Sequence, residues 1–86
     1  MSYSVHVKKS AEKEIRSLPI RIRESVVQAL IDLESDPTPK GRCRALRSPL
    51  NGFRIRIGDW RILYTIDDVT REVMVFSVSH RREAYR

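Results

Sequence analysis

Residues 53–57 and 60–66 alternate apolar and polar side chains at period two, with Gly58-Asp59 between them. No other feature of the chain restricts its fold as tightly. Alternation at that period marks a strand with one buried face, and glycine at the first central position of a two-residue connection suits a type II′ hairpin. Such a turn fixes the register: Ile57 opposite Trp60, Ile55 opposite Ile62, and Phe53 opposite Tyr64. Those six side chains make one apolar face. The other face then carries Arg54, Arg56 and Arg61, with Arg56 directly across from Arg61. Like charges opposed across a strand pair cost up to about 1 kcal/mol, and no acid stands at the paired positions. Arginine stems can cover a wet sheet face. Three guanidiniums converging in a fixed register nevertheless make a candidate phosphate clamp.

The flanking segments supply the rest of a small α+β fold. Tyr3-Ser-Val-His-Val7 alternates and reads as a short strand. Ser10 is placed to cap a helix carrying Ala11, Ile15 and Leu18 on one face, with Glu12 and Glu14 in turns that suit the helix dipole. Pro19 stops that helix and can open the next. Ile22, Val26, Leu30 and Leu33 then form an amphipathic stripe, so the two helices are expected to make a hairpin with a shared apolar face. Asp36-Pro-Thr-Pro-Lys-Gly41 is the strongest break in the chain. Beyond the hairpin strands, Glu72-Val-Met-Val-Phe-Ser-Val78 is nearly continuous in apolar residues, the pattern of a central strand covered on both faces. The predicted architecture is an N-terminal strand and helical hairpin followed by a three-stranded antiparallel meander. The first strand joins beside the last, and the helices pack on one face of a four-stranded sheet.

At 86 residues, 1–86 is expected to be a single domain. No apolar run approaches the roughly 18 to 20 residues of a membrane span, and the N-terminus lacks the apolar core of a signal peptide. The expectation is a soluble, cytoplasmic protein. A lone cysteine, Cys43, with His6 and His80 offers no disulfide and no metal-ligand spacing, so neither metal nor cofactor is expected and Cys43 reads as an incidental loop residue. Charge is more informative. Residues 1–40 are nearly balanced, whereas residues 41–86 hold ten arginines, no lysine and five acids. Planar guanidiniums bind phosphate bidentately and stack on bases, so an all-arginine basic half points to nucleic acid or another polyanion.

Gly52-Phe-Arg-Ile-Arg-Ile-Gly-Asp-Trp-Arg-Ile-Leu-Tyr64, followed by Val78-Ser-His-Arg-Arg-Glu-Ala-Tyr85, closely resembles the RelE/ParE superfamily of bacterial toxins. Leu18-Pro19 between the helices and Ala45-Leu46-Arg47 before the hairpin extend the likeness over nearly the whole chain. The resemblance implies the toxin of a type II toxin–antitoxin system, held inactive by a RelB-like antitoxin. In the RelE branch it implies a nuclease that enters the ribosomal A site and cuts messenger RNA by attack of a ribose 2′-OH on the adjacent phosphate. In the ParE branch it implies an inhibitor of DNA gyrase. The basic set of the RelE branch is matched here by Arg54 and Arg56, Arg61, Arg81 and the C-terminal Tyr85. Arg56, Arg61, Arg81 and Tyr85 are then the expected catalytic residues, with Arg44, Arg47, Arg54 and Arg82 as RNA contacts around them.

One departure bears on mechanism. RelE-like enzymes carry lysines where Arg54 and Arg56 stand, and arginine stabilises charge well but accepts protons badly. His80 and Glu83 are the nearby groups able to exchange a proton, and the general base stays unassigned. Three readings follow: a ribosome-dependent messenger RNA endonuclease, preferred for its basic set; a gyrase inhibitor without nuclease activity; and a degenerate member that binds its antitoxin alone.

Overall fold

In the computed structural model, which describes residues 2–81, the chain runs β1 (Ser4–Val7), α1 (Lys9–Arg16), α2 (Ile20–Leu33), β2 (Cys43–Ala45), β3 (Gly52–Ile57), β4 (Trp60–Asp67) and β5 (Glu72–His80). The strands form one sheet in the order β1-β5-β4-β3-β2. β1 lies parallel to β5, and all other pairings are antiparallel. The meander and the crossover of β1 to the side of the last strand are as expected. The sheet, however, has five strands where four were predicted. The fifth is β2, which pairs Cys43 with Ile55, Arg44 with Arg54, and Ala45 with Phe53. Three residues carry no readable periodicity of their own, so the sequence hides that Cys43 sits in an edge strand and not in a loop.

The β3–β4 register is the one that the turn dictates, with Ile57 on Trp60, Ile55 on Ile62, Phe53 on Tyr64 and Arg56 on Arg61. Gly58 has φ +60°, the sign that a type II′ turn needs at its first central residue. Gly52 is required for a different reason. Its N–H donates to the Pro49 carbonyl, and a Cβ there would stand 2.7 Å from that oxygen.

The N-cap of α1 lies two residues before the predicted one. Lys8, not Ser10, is the N-cap, and it contributes no side-chain hydrogen bond. The Lys8 N–H still donates to Val75 O, extending the β1 ladder, while its carbonyl already accepts from Glu12. Strand passes directly into helix, which leaves no room for a separate cap. At the far end, the Arg23 guanidinium donates to the Arg16 and Leu18 carbonyls, capping α1 from the neighbouring helix. Pro19 is the N-cap of α2.

Both helices lie on one face of the sheet. Ala11 and Leu18 of this layer, with Val26, Ala29 and Leu33 of α2, pack against Ile55, Ile62, Tyr64, Ile66, Val73, Val75 and Val78. β5 is central but is not covered along both faces, as its apolar run had suggested: Met74 is 39% exposed. A bulge between Leu63 and Tyr64 accounts for the run. Tyr64 pairs with Val75 and Leu63 with Ser77, so Phe76 is an extra residue and Val78 returns to the helix side. Past Val7, where β1 has left the sheet, the Val78 N–H is taken up by Glu14 Oε1 of α1 at 3.0 Å.

Candidate nucleic-acid interface

The face turned away from the helices carries the arginines, in a diagonal that the register sets. Arg61 on β4 opposes Arg56 on β3, and two residues along β3 Arg54 opposes Arg44 on β2. Arg56 and Arg44 are exposed. Arg61 is not: it is 6% exposed, and its NH1 donates to the carbonyls of Gly58 at 3.3 Å and Trp60 at 3.1 Å. Those two turn oxygens offset the like-charge opposition that makes the Arg56–Arg61 pairing anomalous in the sequence. The Arg61 Nε is buried with no hydrogen-bond partner among the described residues. Arg61 is therefore a charge fixed beneath the surface, and removing it would disturb the hairpin turn.

Arg81 converges on the same turn. Its N–H donates to Asp59 O at 2.7 Å, and its exposed guanidinium lies 3.8 Å from the Asp59 carboxylate. The turn Gly58-Asp59 thus anchors both Arg61 and Arg81. His80 is elsewhere. It pairs with Trp60, whose ring it meets edge-on with centroids 5.3 Å apart, on the side where Trp60 packs against the core. The structure brings Arg56, Arg61 and Arg81 to one end of the open face and sets His80 on the other face. Arg82, Glu83 and Tyr85 lie outside the described residues.

Two features escaped the sequence. The open face has an apolar floor, because Leu63 opposes Arg54 there. Leu63, Phe76, Ala45 and Leu46, with Arg47 and Arg54, line a hollow of about 580 Å³. No local signal marks it, because the bulge that frees Phe76 arises from the pairing of β5 with β4. The second feature is Tyr64, wholly buried, whose hydroxyl donates to Pro37 O at 2.7 Å and lies 3.3 Å from Cys43 Sγ. Burial, and then the hydrogen bond with Cys43, raise its pKa above the ordinary tyrosine value. The hydroxyl stays neutral and pins both ends of the Pro-rich loop to the sheet.

Among the described residues no group of three or more His, Cys, Asp or Glu is placed to hold a metal ion, and no helix is long and apolar enough to cross a membrane.

The model of the ParE toxin of type II toxin–antitoxin systems matches residues 3–85. The chain belongs to that family. It is a toxin of the RelE/ParE superfamily. It is 39% identical to the toxin RelG of Mycobacterium tuberculosis, over 100% of this chain and 99% of that one. Toxin RelE of the same organism is 30% identical over 98% of this chain and 87% of its own length. Among solved structures, the RelBE2 toxin–antitoxin complex of Mycobacterium tuberculosis superposes with TM-score 0.79 at 34% identity, covering 94% of the toxin described here and 100% of that chain. An archaeal RelE–RelB complex from Pyrococcus horikoshii shares the fold, with TM-score 0.85 over 98% of this chain and 100% of that chain at 24% identity.

Proposed function

We propose that the toxin is an endoribonuclease of the RelE type that cuts messenger RNA in the ribosomal A site. The observation that supports this reading is the convergence of Arg56, Arg61 and Arg81 at the Gly58-Asp59 turn, with Arg56 exposed and Arg61 held rigidly below it. In the proposed step the 2′-oxygen of one ribose attacks the adjacent phosphorus and the bond to the 5′-oxygen breaks, leaving a 2′,3′-cyclic phosphate. The 2′-OH proton is lost and the departing 5′-oxygen gains one. Arg56 and Arg81 would donate to the phosphoryl oxygens, whose charge rises in the transition state, while Arg61 adds fixed positive charge beneath them. Tyr85 would stack on or orient a base, and Arg44, Arg47, Arg54 and Arg82 would hold the strand. The ribosome would position the message, which matters most for a site without a strong base.

A RelB-like antitoxin is the proposed partner, since solved relatives are complexes of RelE with RelB. An acidic and apolar segment would neutralise the arginine face, so this complex should weaken with salt.

The test sets cleavage of a message on translating ribosomes beside a gyrase supercoiling assay. Cleavage with supercoiling unaffected supports the nuclease. Blocked supercoiling without cleavage would replace it by gyrase inhibition.

A further inference from the structure

Beside the cleavage residues lies a second, smaller concavity of about 210 Å³, lined by Gly41, Arg42, Arg44, Arg54 and Arg56. Four of its five described lining residues are arginines, and none of these five is an acid. Arg44 stands directly opposite Arg54 in the β2–β3 register, a second like-charge pair across strands. Among the described residues no ion pair involves Arg42, Arg44 or Arg56. Among the described residues, Asp32 lines the adjoining hollow against α2, where it accepts a hydrogen bond from Gln28.

This cluster is built, not incidental. Arg42 and Arg44 flank Cys43, and the N–H groups of Arg42 and Cys43 both donate to the Pro39 carbonyl across a turn in which Gly41 has φ +82°. Tyr64 fixes the base of that turn through Pro37 O and Cys43 Sγ. Two exposed arginines are thus carried on backbone that a buried hydroxyl holds against the core. That preorganisation lowers the entropy lost when they close on a ligand.

We propose that this pocket is a second phosphate site, holding a phosphodiester of the RNA strand at a distance from the one cleaved. The inference rests on the nuclease reading for the identity of its ligand. Arg56 lines the pocket and faces Arg61, so the two sites are continuous. β4 to β2 is two strand spacings, about 10 Å, so a single phosphate does not fill both sites. The volume lies below the roughly 300 Å³ at which small-molecule pockets begin, which fits a phosphate group and not a whole nucleotide. An antitoxin segment that neutralises the arginine face would compete for the same guanidiniums, so antitoxin binding is read beside RNA binding in the test.

The test is titration of the free toxin into a fluorescein-labelled, fully 2′-O-methylated RNA octamer, which cannot be cleaved, at several salt concentrations. Each phosphate contact in a single strand contributes about −0.7 to the slope of log K against log salt. Arg42→Gln with Arg44→Gln should weaken binding at least tenfold and make that slope shallower by about 0.7. Arg16→Gln with Arg21→Gln, which removes the same charge from the helices, should leave the slope unchanged. A double variant at 42 and 44 that keeps both affinity and slope overturns the proposal, as does one that loses antitoxin binding while RNA binding is intact. The nuclease reading fails separately: if the double variant shows the slope change but the wild-type toxin never cuts ribosome-bound message, this site is retained and that activity is lost. Thermal denaturation of each variant excludes unfolding as the cause.

Discussion

Glu14 on α1 accepts a hydrogen bond from the Val78 N–H of β5 at 3.0 Å, across 64 residues of sequence. β1 pairs with β5 as far as Val75, so from there on β5 needs another partner for the amides on that side. A carboxylate on the helix that continues β1 supplies one. The bond does for the sheet what the missing strand residues would have done, and it sets where α1 rests.

Glu14→Ala should therefore destabilise the fold by about 1.5 to 3 kcal/mol, the scale of a hydrogen bond to a charged group. Glu14→Gln keeps an acceptor and should recover part of that. Urea denaturation of the three proteins measures both, and a Glu14→Ala midpoint equal to wild type would refute the role.

Tyr64 gives a pH prediction. The folded state raises the pKa of its hydroxyl, so above about pH 10 the unfolded chain releases this proton first and stability falls as pH rises. Below that pH the group contributes no slope. Tyr64→Phe should cost about 1 to 3 kcal/mol at pH 7, because Pro37 O loses its donor, and should lack the tyrosine's share of the alkaline decline. Denaturation midpoints between pH 8 and 11 compare the two slopes, and identical slopes would show that Tyr64 titrates normally.

Gly52→Ala places a methyl 2.7 Å from the Pro49 carbonyl oxygen, which is backbone and cannot swing aside. A loss of about 1 to 3 kcal/mol is expected from this overpacking. A melting temperature unchanged within error would mean that the 46–52 loop yields freely.

Arg56 and Arg61 should separate in their effects. Arg56→Ala removes an exposed charge opposite another and should leave stability level or slightly higher, while cutting cleavage by about 100-fold or more. Arg61→Ala should lose comparable activity and also lower the melting point, since the Gly58 and Trp60 carbonyls lose their donor. Single-turnover cleavage beside calorimetry resolves the pair. Normal cleavage in folded Arg56→Ala protein would end the clamp assignment.

His80 meets Trp60 on the side opposite the arginines, so it should not carry the proton of the 2′-OH. The pH–rate profile of ribosome-bound cleavage between pH 5.5 and 8 should be the same shape in wild type and His80→Gln. An inflection near neutrality that vanishes in the variant would restore the histidine as acid or base.

The hairpin was legible in the sequence because two local signals agreed: strict alternation and a glycine where the turn needs positive φ. Together they fixed the opposition of Arg56 and Arg61 before any contact was known. They could not show that Arg61 is buried with its guanidinium on the Gly58 and Trp60 carbonyls, because alternation places a side chain on a face and not beneath it. β2 was not legible, since three residues have no period of their own and are a strand only by virtue of β3. Ser10 reads as a cap by residue type, but the ladder from β1 runs through Lys8 and starts the helix early. Phe76 hides in an apolar run whose bulge depends on β4. Apart from Arg61, whose partners are its own turn, each miss lies where a non-local partner decides.

The parallel pairing of β1 with β5 also dictates an order of events. β1 has no strand to pair with until residues 72–75 arrive, and α1 is tethered through Glu14 to an amide at position 78. The meander β3–β4–β5 is made of sequence-local pairings and can assemble by itself, whereas the N-terminal strand and its helix must wait for it. During synthesis the first third of the toxin is therefore made early and folded late. A nascent chain that has not yet reached β5 lacks the strand on which β1 and α1 rest, so its fold is completed only once residues 72–80 have been made.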